Sequence, residues 1–229
     1  MTVHRFFVPP SEASGDRFPV PPSVAHQVRR VLRLRDGEAL VLLIGDGSEM
    51  ACHLEGGECV IDERRPSTGE PAHRLTIVQA LLRGDGLETV VRQGTEVGVA
   101  EFRLVVTERC VARELSPRRL ERLRTVAREA AEQSERGAVP LVEGPAPFSR
   151  ELAPGRVLLA ERQGGTRLAA IEPPTVLIVG PEGGFTPAEV AAASDAGVGF
   201  AWLGPRILRA ETVAVAAASV VLSRTGDFA

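Results

Sequence analysis

Thr175-Val-Leu-Ile-Val179, Gly180-Pro-Glu-Gly-Gly-Phe185 and Thr186-Pro-Ala-Glu189 follow one another without a break, and their reading decides the fold. The first run is apolar and β-branched with no polar alternation, which predicts a strand covered on both faces. In the last, Thr186 and Glu189 stand three apart with Pro187 at the first helical position, a capping box that predicts a helix from residue 187. Between them lies a loop with three glycines in five residues, able to take positive φ and to let a ligand approach the backbone. Strand, loop and helix in that order belong to a parallel α/β sheet, where ligands bind beyond the carboxyl ends of the strands. A turn needing glycine for geometry alone has no use for Glu182, so the loop reads as a ligand loop. It is not a phosphate loop, because the G-x-x-x-x-G-K-[ST] pattern is missing and Glu182 would repel phosphate; the G-x-G-x-x-G dinucleotide spacing is missing too.

The same alternation extends to both sides. Strands are predicted over 75–82, 103–107, 139–142, 157–160, 175–179 and 200–203, and helices over 86–98, 117–137, from 187, and from about 211. This pattern implies a mostly parallel sheet covered by helices. Ser116, Pro117 and Gly137 mark the ends of the longest helix as cap, first-turn proline and stop. A second strand–helix junction reads Leu203-Gly-Pro-Arg-Ile-Leu-Arg-Ala-Glu-Thr212 and leads into a helix that is apolar on nearly every side. Such a helix is expected to be buried, with a second subunit as one possible cover. Arg206, Arg209 and Glu211 border it and must be paired or lie in a solvated cleft. A third glycine pair, Gln163-Gly-Gly165, follows the strand ending at residue 160, so three strand ends present loops able to converge on one pocket.

Residues 1–68 read differently, as a small β-rich domain. Short apolar runs around 6–8, 40–44, 50–54 and 59–61 are separated by Asp36-Gly37, Gly45-Asp46-Gly47 and Gly56-Gly57. One helix interrupts them, with Ser23 as N-cap and Val24, Val28, Val31 and Leu32 as its buried stripe, leaving His26, Arg29, Arg30 and Arg33 outward. Arg65-Pro-Ser-Thr-Gly-Glu-Pro71 reads as a linker to a second domain over 72–229.

Composition narrows the chemistry. The 229 residues are 44% hydrophobic and 25% charged, a globular balance. All 27 basic residues are arginine, and with no Lys and no Tyr, a Schiff-base lysine, a P-loop lysine and a tyrosine acid/base are excluded. His4, His26, His53 and His73 fit no metal-ligand spacing, so no metal is expected. Three widely spaced cysteines, no apolar run of membrane-spanning length and no signal-like start point to a cytoplasmic chain without a membrane partner. The formal charge of −3 conceals two basic stretches, each with six arginines against two acids. The first, over 1–35, includes Arg5; the second, over 113–128, places Arg118 and Arg122 on the long helix. Both are candidate RNA-facing segments.

Gly180-Pro-Glu-Gly-Gly-Phe185 together with Leu203-Gly-Pro-Arg-Ile-Leu-Arg-Ala-Glu-Thr212 resembles the RsmE family of 16S rRNA uracil-N3 methyltransferases, of the SPOUT superfamily. The likeness runs through Thr95-Glu-Val-Gly98, Glu108-Arg109, Glu129-Ala-Ala-Glu-Gln133, Arg136 and Pro140, and reaches His26 and Val31-Leu-Arg33. It implies an N-terminal PUA-like β-barrel that helps bind RNA, a C-terminal α/β domain with a trefoil knot, a homodimer, and a substrate in small-subunit rRNA or the 30S subunit. It also implies S-adenosylmethionine as cofactor, its adenosine against Val179, Gly180, Leu203, Gly204, Ile207 and Leu208, with Gly183, Gly184 and Thr212 completing the site. Arg109 joins the expected RNA contacts. Uracil N3 carries a proton at neutral pH, so Arg209 is expected to stabilise a uridinate, with Glu211 or Glu182 as alternative bases. The family usually has lysine in the segment where this chain has Gln93-Gly94, and serine at Cys110. The competing reading is a non-catalytic RNA-binding or ribosome-assembly factor on the same fold.

Overall fold

The computed structural model describes residues 3–159 and 166–228. They form two compact units, one comprising Met1–Glu70 with Ala131–Val139 and the other Pro71–Ala130 with Pro140–Ala229.

The first unit is a five-stranded sheet built from β1 (His4–Phe7), β2 (Arg17–Pro19), β3 (Ala39–Leu43), β4 (Ser48–Glu55) and β5 (Glu58–Pro66), in the order β1-β3-β4-β5-β2. The β1–β3 pair is parallel and the others antiparallel. Side chains alternate along a strand, so β3 can serve two cores. Leu40 and Leu42 pack with Phe6, Phe18, Val28 and Cys59, while Val41 and Leu43 pack with Phe7, Ala131 and Val139. That second cluster explains why residues 131–139 fold with this unit. Polar contacts add to it: the Glu132 carboxylate accepts the Phe7 N–H at 3.0 Å, and Arg136 pairs with Glu70 at 2.7 Å. Burial pushes the thiols of Cys52 and Cys59 up to about 12 and about 11, so both stay protonated and unreactive.

Two sequence expectations are corrected in this unit. Residues 27–31 form a π-helix, not an α-helix, closed by the Leu32 N–H on the Gln27 carbonyl. The wider turn rotates Val31 out of the predicted stripe, and it is 62% exposed. Ser23 is not the cap, because its hydroxyl donates instead to Glu12 at 2.7 Å. Arg5 also has a local explanation: its side chain, 13% exposed, pairs with Glu49 at 2.5 Å and with Glu135 at 3.3 Å.

The second unit carries β6 (Thr76–Ala80), α1 (Gly86–Glu96), β7 (Glu101–Val106), α2 (Pro117–Gln133), β8 (Leu141–Pro147), β9 (Val157–Leu159), β10 (Thr166–Arg167), β11 (Val176–Val179), α3 (Pro187–Asp195), β12 (Gly199–Trp202) and α4 (Ala210–Arg224). The last residues of α2 count with the first unit. Its strands pair in the order β10-β12-β9-β11-β6-β7-β8, and every ladder is parallel. β6 and β11 are buried from end to end or nearly so, as expected for strands covered on both faces. The capping box at Thr186 and Glu189 is formed in both directions. The apolar helix α4 packs on α1, burying Ala214, Ala217, Ala218, Val221 and Leu222. Its other side, with Val213, Val215, Ala216 and Val220, is only half-buried within the chain.

Two buried carboxylates give the fold a defined acid response. Burial raises the Glu49 carboxyl, but hydrogen bonds and charge from Arg5 and Arg65 outweigh it and leave the pKa below its ordinary 4.5. At Glu101 burial is likewise overcome by Arg103 and the Thr76 hydroxyl. Folded carboxylates with lowered pKa contribute stability above about pH 4.5 and lose it as pH falls through their folded values. A Glu49→Gln/Glu101→Gln variant should therefore be less stable to urea near neutrality, yet lose less of its remaining stability between about pH 5 and 3 than the wild type. Parallel losses in both proteins would contradict this assignment.

Candidate functional site

Parallel strands place the β6–α1, β7–α2, β11–α3 and β12–α4 loops at one edge of the sheet, the carboxyl end. The chain order reverses between β11 and β6, the place where open α/β sheets bind ligands. A cleft of about 690 Å³ opens there. Its floor is apolar and rich in backbone, with Leu159, Val179, Gly180 and Pro181, while charged side chains stand at its edge: Arg83, Arg109, Glu182, Arg209 and Glu211.

The glycine loop is held from its neighbours. Gln79, fully buried on β6, donates its amide to the Gly180 carbonyl at 3.3 Å and to the Ala80 carbonyl at 3.0 Å. Arg109 donates to the Gly183 carbonyl at 3.0 Å and the Phe185 carbonyl at 3.3 Å. The Arg83 main-chain N–H donates to the Glu182 carboxylate at 3.0 Å. The Glu108 N–H donates to Glu189 at 2.8 Å, while the Glu108 carboxylate accepts from Thr186 at 3.2 Å. Gly180 answers a close approach: a Cβ there would lie 2.9 Å from the Phe185 ring, which is itself stacked on Phe148 at 5.3 Å between centroids. Two adjacent loops thus fix the shape of the third, and a fixed shape lowers the ordering cost of binding a ligand.

The β12–α4 loop is differently furnished. Gly204 takes φ +138°, turning the chain out of β12, and Arg209 is the N-terminal cap position of α4. Arg209 is exposed and Glu211 half-buried in the first turn of α4. Neither side chain has a hydrogen-bond or ion-pair partner among the described residues, so they do not merely order the loop. Glu182, in contrast, is already engaged by the Arg83 N–H.

Of the residues expected from sequence to hold a cofactor, Val179, Gly180, Gly183, Gly184, Ile207 and Leu208 line the cleft, and Leu203, Gly204 and Thr212 are not among its lining residues. Arg209, Glu211 and Glu182 all line it, and so does Arg109. Ile207 is 68% exposed, an aliphatic side chain held open at the cleft. Gln163-Gly-Gly165, the third expected loop, lies outside the described residues. His26, Arg29, Arg30 and Arg33 are exposed on the first unit, with Arg29 donating to the Gly57 carbonyl at 3.3 Å. Arg118 is exposed on α2, and Arg122 is shared between Glu88 at 3.5 Å and Glu129 at 3.9 Å. Sequence reasoning missed Arg83 and Gln79. The alternation of strands and helices locates their strand end but not what faces it, although a glutamine within an otherwise apolar strand is a visible signal.

Comparison with known proteins bears on this site. The family model described as an RNA methyltransferase domain matches residues 69–222. A Ribosomal RNA small subunit methyltransferase E from Mycobacterium tuberculosis is 37% identical over 216 residues, covering 85% of this chain and 82% of the relative. The protein of that name from Synechocystis is 33% identical over 224 residues, covering 91% of this chain and 74% of the relative. The crystal structure of the Neisseria gonorrhoeae protein of that name, bound to S-adenosylmethionine, superposes with a TM-score of 0.87 at 28% identity, covering 97% of this chain and 98% of that one.

Proposed function

This chain belongs to the RsmE family of ribosomal RNA small subunit methyltransferases, and from that premise we propose that it transfers a methyl group from S-adenosylmethionine to N3 of a uridine in small-subunit rRNA. The observation that carries the reading is the cleft itself. Its floor is backbone and aliphatic, suited to a nucleoside, and its edge carries Arg209 and Glu211, which have no partner among the described residues. A volume of about 690 Å³ suits a ligand of that size. Bound there, S-adenosylmethionine supplies a methyl group already activated by its sulfonium, so the chain's residues have only to align the nucleophile and manage one proton.

Val179, Gly180, Ile207 and Leu208 would hold the adenosine, with Leu203 and Gly204 continuing the wall and Gly183, Gly184 and Thr212 at its margins. Arg209 stabilises the negative charge that spreads to O2 and O4 as N3 loses its proton. Glu211 takes that proton; it is preferred to Glu182 because the Glu182 carboxylate already accepts the Arg83 N–H. His26, Arg29, Arg30 and Arg33 of the first unit, with Arg109, Arg118 and Arg122 of the second, meet the RNA, whose target base must be unstacked to reach the cleft. Arg5 leaves this set because Glu49 and Glu135 occupy it. The same reading makes the first unit PUA-like and the second a knotted SPOUT domain. It makes the chain a homodimer through the half-buried face of α4, at work in the cytoplasm on rRNA or the 30S subunit.

Calorimetry with S-adenosylmethionine, followed by methyl transfer to unmodified 30S subunits, tests the reading. Binding and transfer are expected. Binding of 30S subunits by a well-folded sample with no heat from S-adenosylmethionine would favour a non-catalytic assembly factor. A Gly180→Ala variant should bind S-adenosylmethionine at least about tenfold more weakly, because overpacking of this kind costs on the order of 1–3 kcal/mol and here displaces the Phe185 ring. Unchanged affinity would remove Gly180 from the binding wall.

A further inference from the structure

The Arg83 side chain has no part in the reading so far. Arg83 follows β6, in the loop that precedes α1, and its side chain is 66% exposed at the edge of the cleft. Its main chain is fixed on both sides. The Arg83 N–H is bound to Glu182 at 3.0 Å, and the next carbonyl, that of Gly84, accepts from the Arg119 guanidinium. Its side chain is not so committed. The nearest carboxylate oxygen, of Glu182, is 3.9 Å from Nε, and no hydrogen bond engages the guanidinium among the described residues. A rigid stem whose exposed guanidinium is held only by one long ion pair, to Glu182, suits capture of an anion.

Arg109 meets the same loop tip, donating to the Gly183 and Phe185 carbonyls. Two arginines from different loops therefore reach Glu182-Gly183-Gly184, and both line the cleft. The proposed reading puts the reacting base beside Arg209 and Glu211, which line the same cleft. An anion meeting Arg83 and Arg109 arrives instead from solvent, with the polymeric substrate.

We infer that Arg83, with Arg109, binds a backbone phosphate of the RNA beside the target nucleotide, and so is a positioning residue for the transfer. This rests on the rRNA methyltransferase reading. A phosphate held at the loop tip fixes the strand on one side of the cleft, so that the unstacked base enters toward Arg209 and Glu211. Phosphate contacts of this kind set register and carry no sequence information.

The test uses the full-length protein with Arg83→Ala and Arg83→Lys. Binding of unmodified small-subunit rRNA is measured across a salt series, S-adenosylmethionine affinity by calorimetry, and KM and kcat by methyl transfer. For Arg83→Ala the slope of log affinity against log salt should fall by about 0.7–0.9, the loss of one phosphate contact. KM for RNA should rise about tenfold near 0.1 M salt with a much smaller change in kcat, an order of magnitude typical for one charge-assisted contact. Arg83→Lys should restore the salt slope, which a purely structural role would not do. An unchanged slope and KM would overturn the inference. Loss of S-adenosylmethionine affinity at an unchanged salt slope would also overturn it, assigning Arg83 to the cofactor carboxylate. If the wild type binds RNA but transfers no methyl group, the enzyme reading fails while the salt slope still decides the phosphate contact.

Discussion

Replacing Arg209 by alanine is expected to lower kcat about 10²–10³-fold, the usual cost of removing one preorganised group that faces developing charge. Arg209 occupies the N-cap position of α4 without a capping hydrogen bond, stands at the edge of the cleft and has no side-chain partner among the described residues, so its guanidinium is available where a uridinate would form. Because the floor of the cleft is made by other residues, affinity for S-adenosylmethionine should change little. Steady-state kinetics with 30S subunits, paired with calorimetry, separates the two quantities. A kcat within a factor of about two of wild type would remove Arg209 from the mechanism, since the expected effect is at least about a hundredfold. Lost cofactor affinity with normal kcat would make it a binding residue.

Glu211→Gln should cost about 10²–10⁴-fold in kcat at neutral pH, the range for loss of a general base. The signature lies in the pH profile. Without the carboxylate, the proton on N3 must leave by solvent, so the residual rate should keep rising as the medium becomes more alkaline and the uridine ionises by itself. Glu182→Gln keeps an acceptor oxygen for the Arg83 N–H and should change kcat far less. If Glu182→Gln is the damaging change and Glu211→Gln is mild, the roles given to the two carboxylates are reversed.

Local signals carried much of the fold. The capping box at Thr186 and Glu189 and the proline at the start of α2 need only a few neighbouring residues to act, and both helices begin where the sequence predicts, although α2 ends at Gln133, short of the expected stop at Gly137. The apolar runs that became β6, β9 and β11 were legible because strands buried on both faces have no alternation to misread. The π-helix at 27–31 was not legible, since its apolar residues fit an α-helical stripe until the extra residue per turn carries Val31 outward. Residues 131–137 read as the end of one long helix and residue 139 as the start of a strand, although Ala131 and Val139 pack with Phe7, Val41 and Leu43. The pairing of Arg5 with Glu49 and Glu135 spans separations that no spacing rule sees, so it looked like part of a basic patch.

The site divides in the same way. Glycines and charges at strand ends can be read along the chain, and Val179, Gly180, Glu182, Arg209 and Glu211 were found so. That Glu182 is taken by a main-chain N–H while Glu211 is not depends on how β6 lies beside β11, a parallel pairing between segments about a hundred residues apart.

The decisive measurement incubates the protein with isotopically labelled S-adenosylmethionine and unmodified small-subunit RNA and maps the labelled nucleoside by mass spectrometry. One methyl group on N3 of a uridine, formed far more slowly by the Arg209→Ala protein, is the predicted result. Label on a ribose oxygen or on another base, or none from a protein that binds the cofactor, would contradict it.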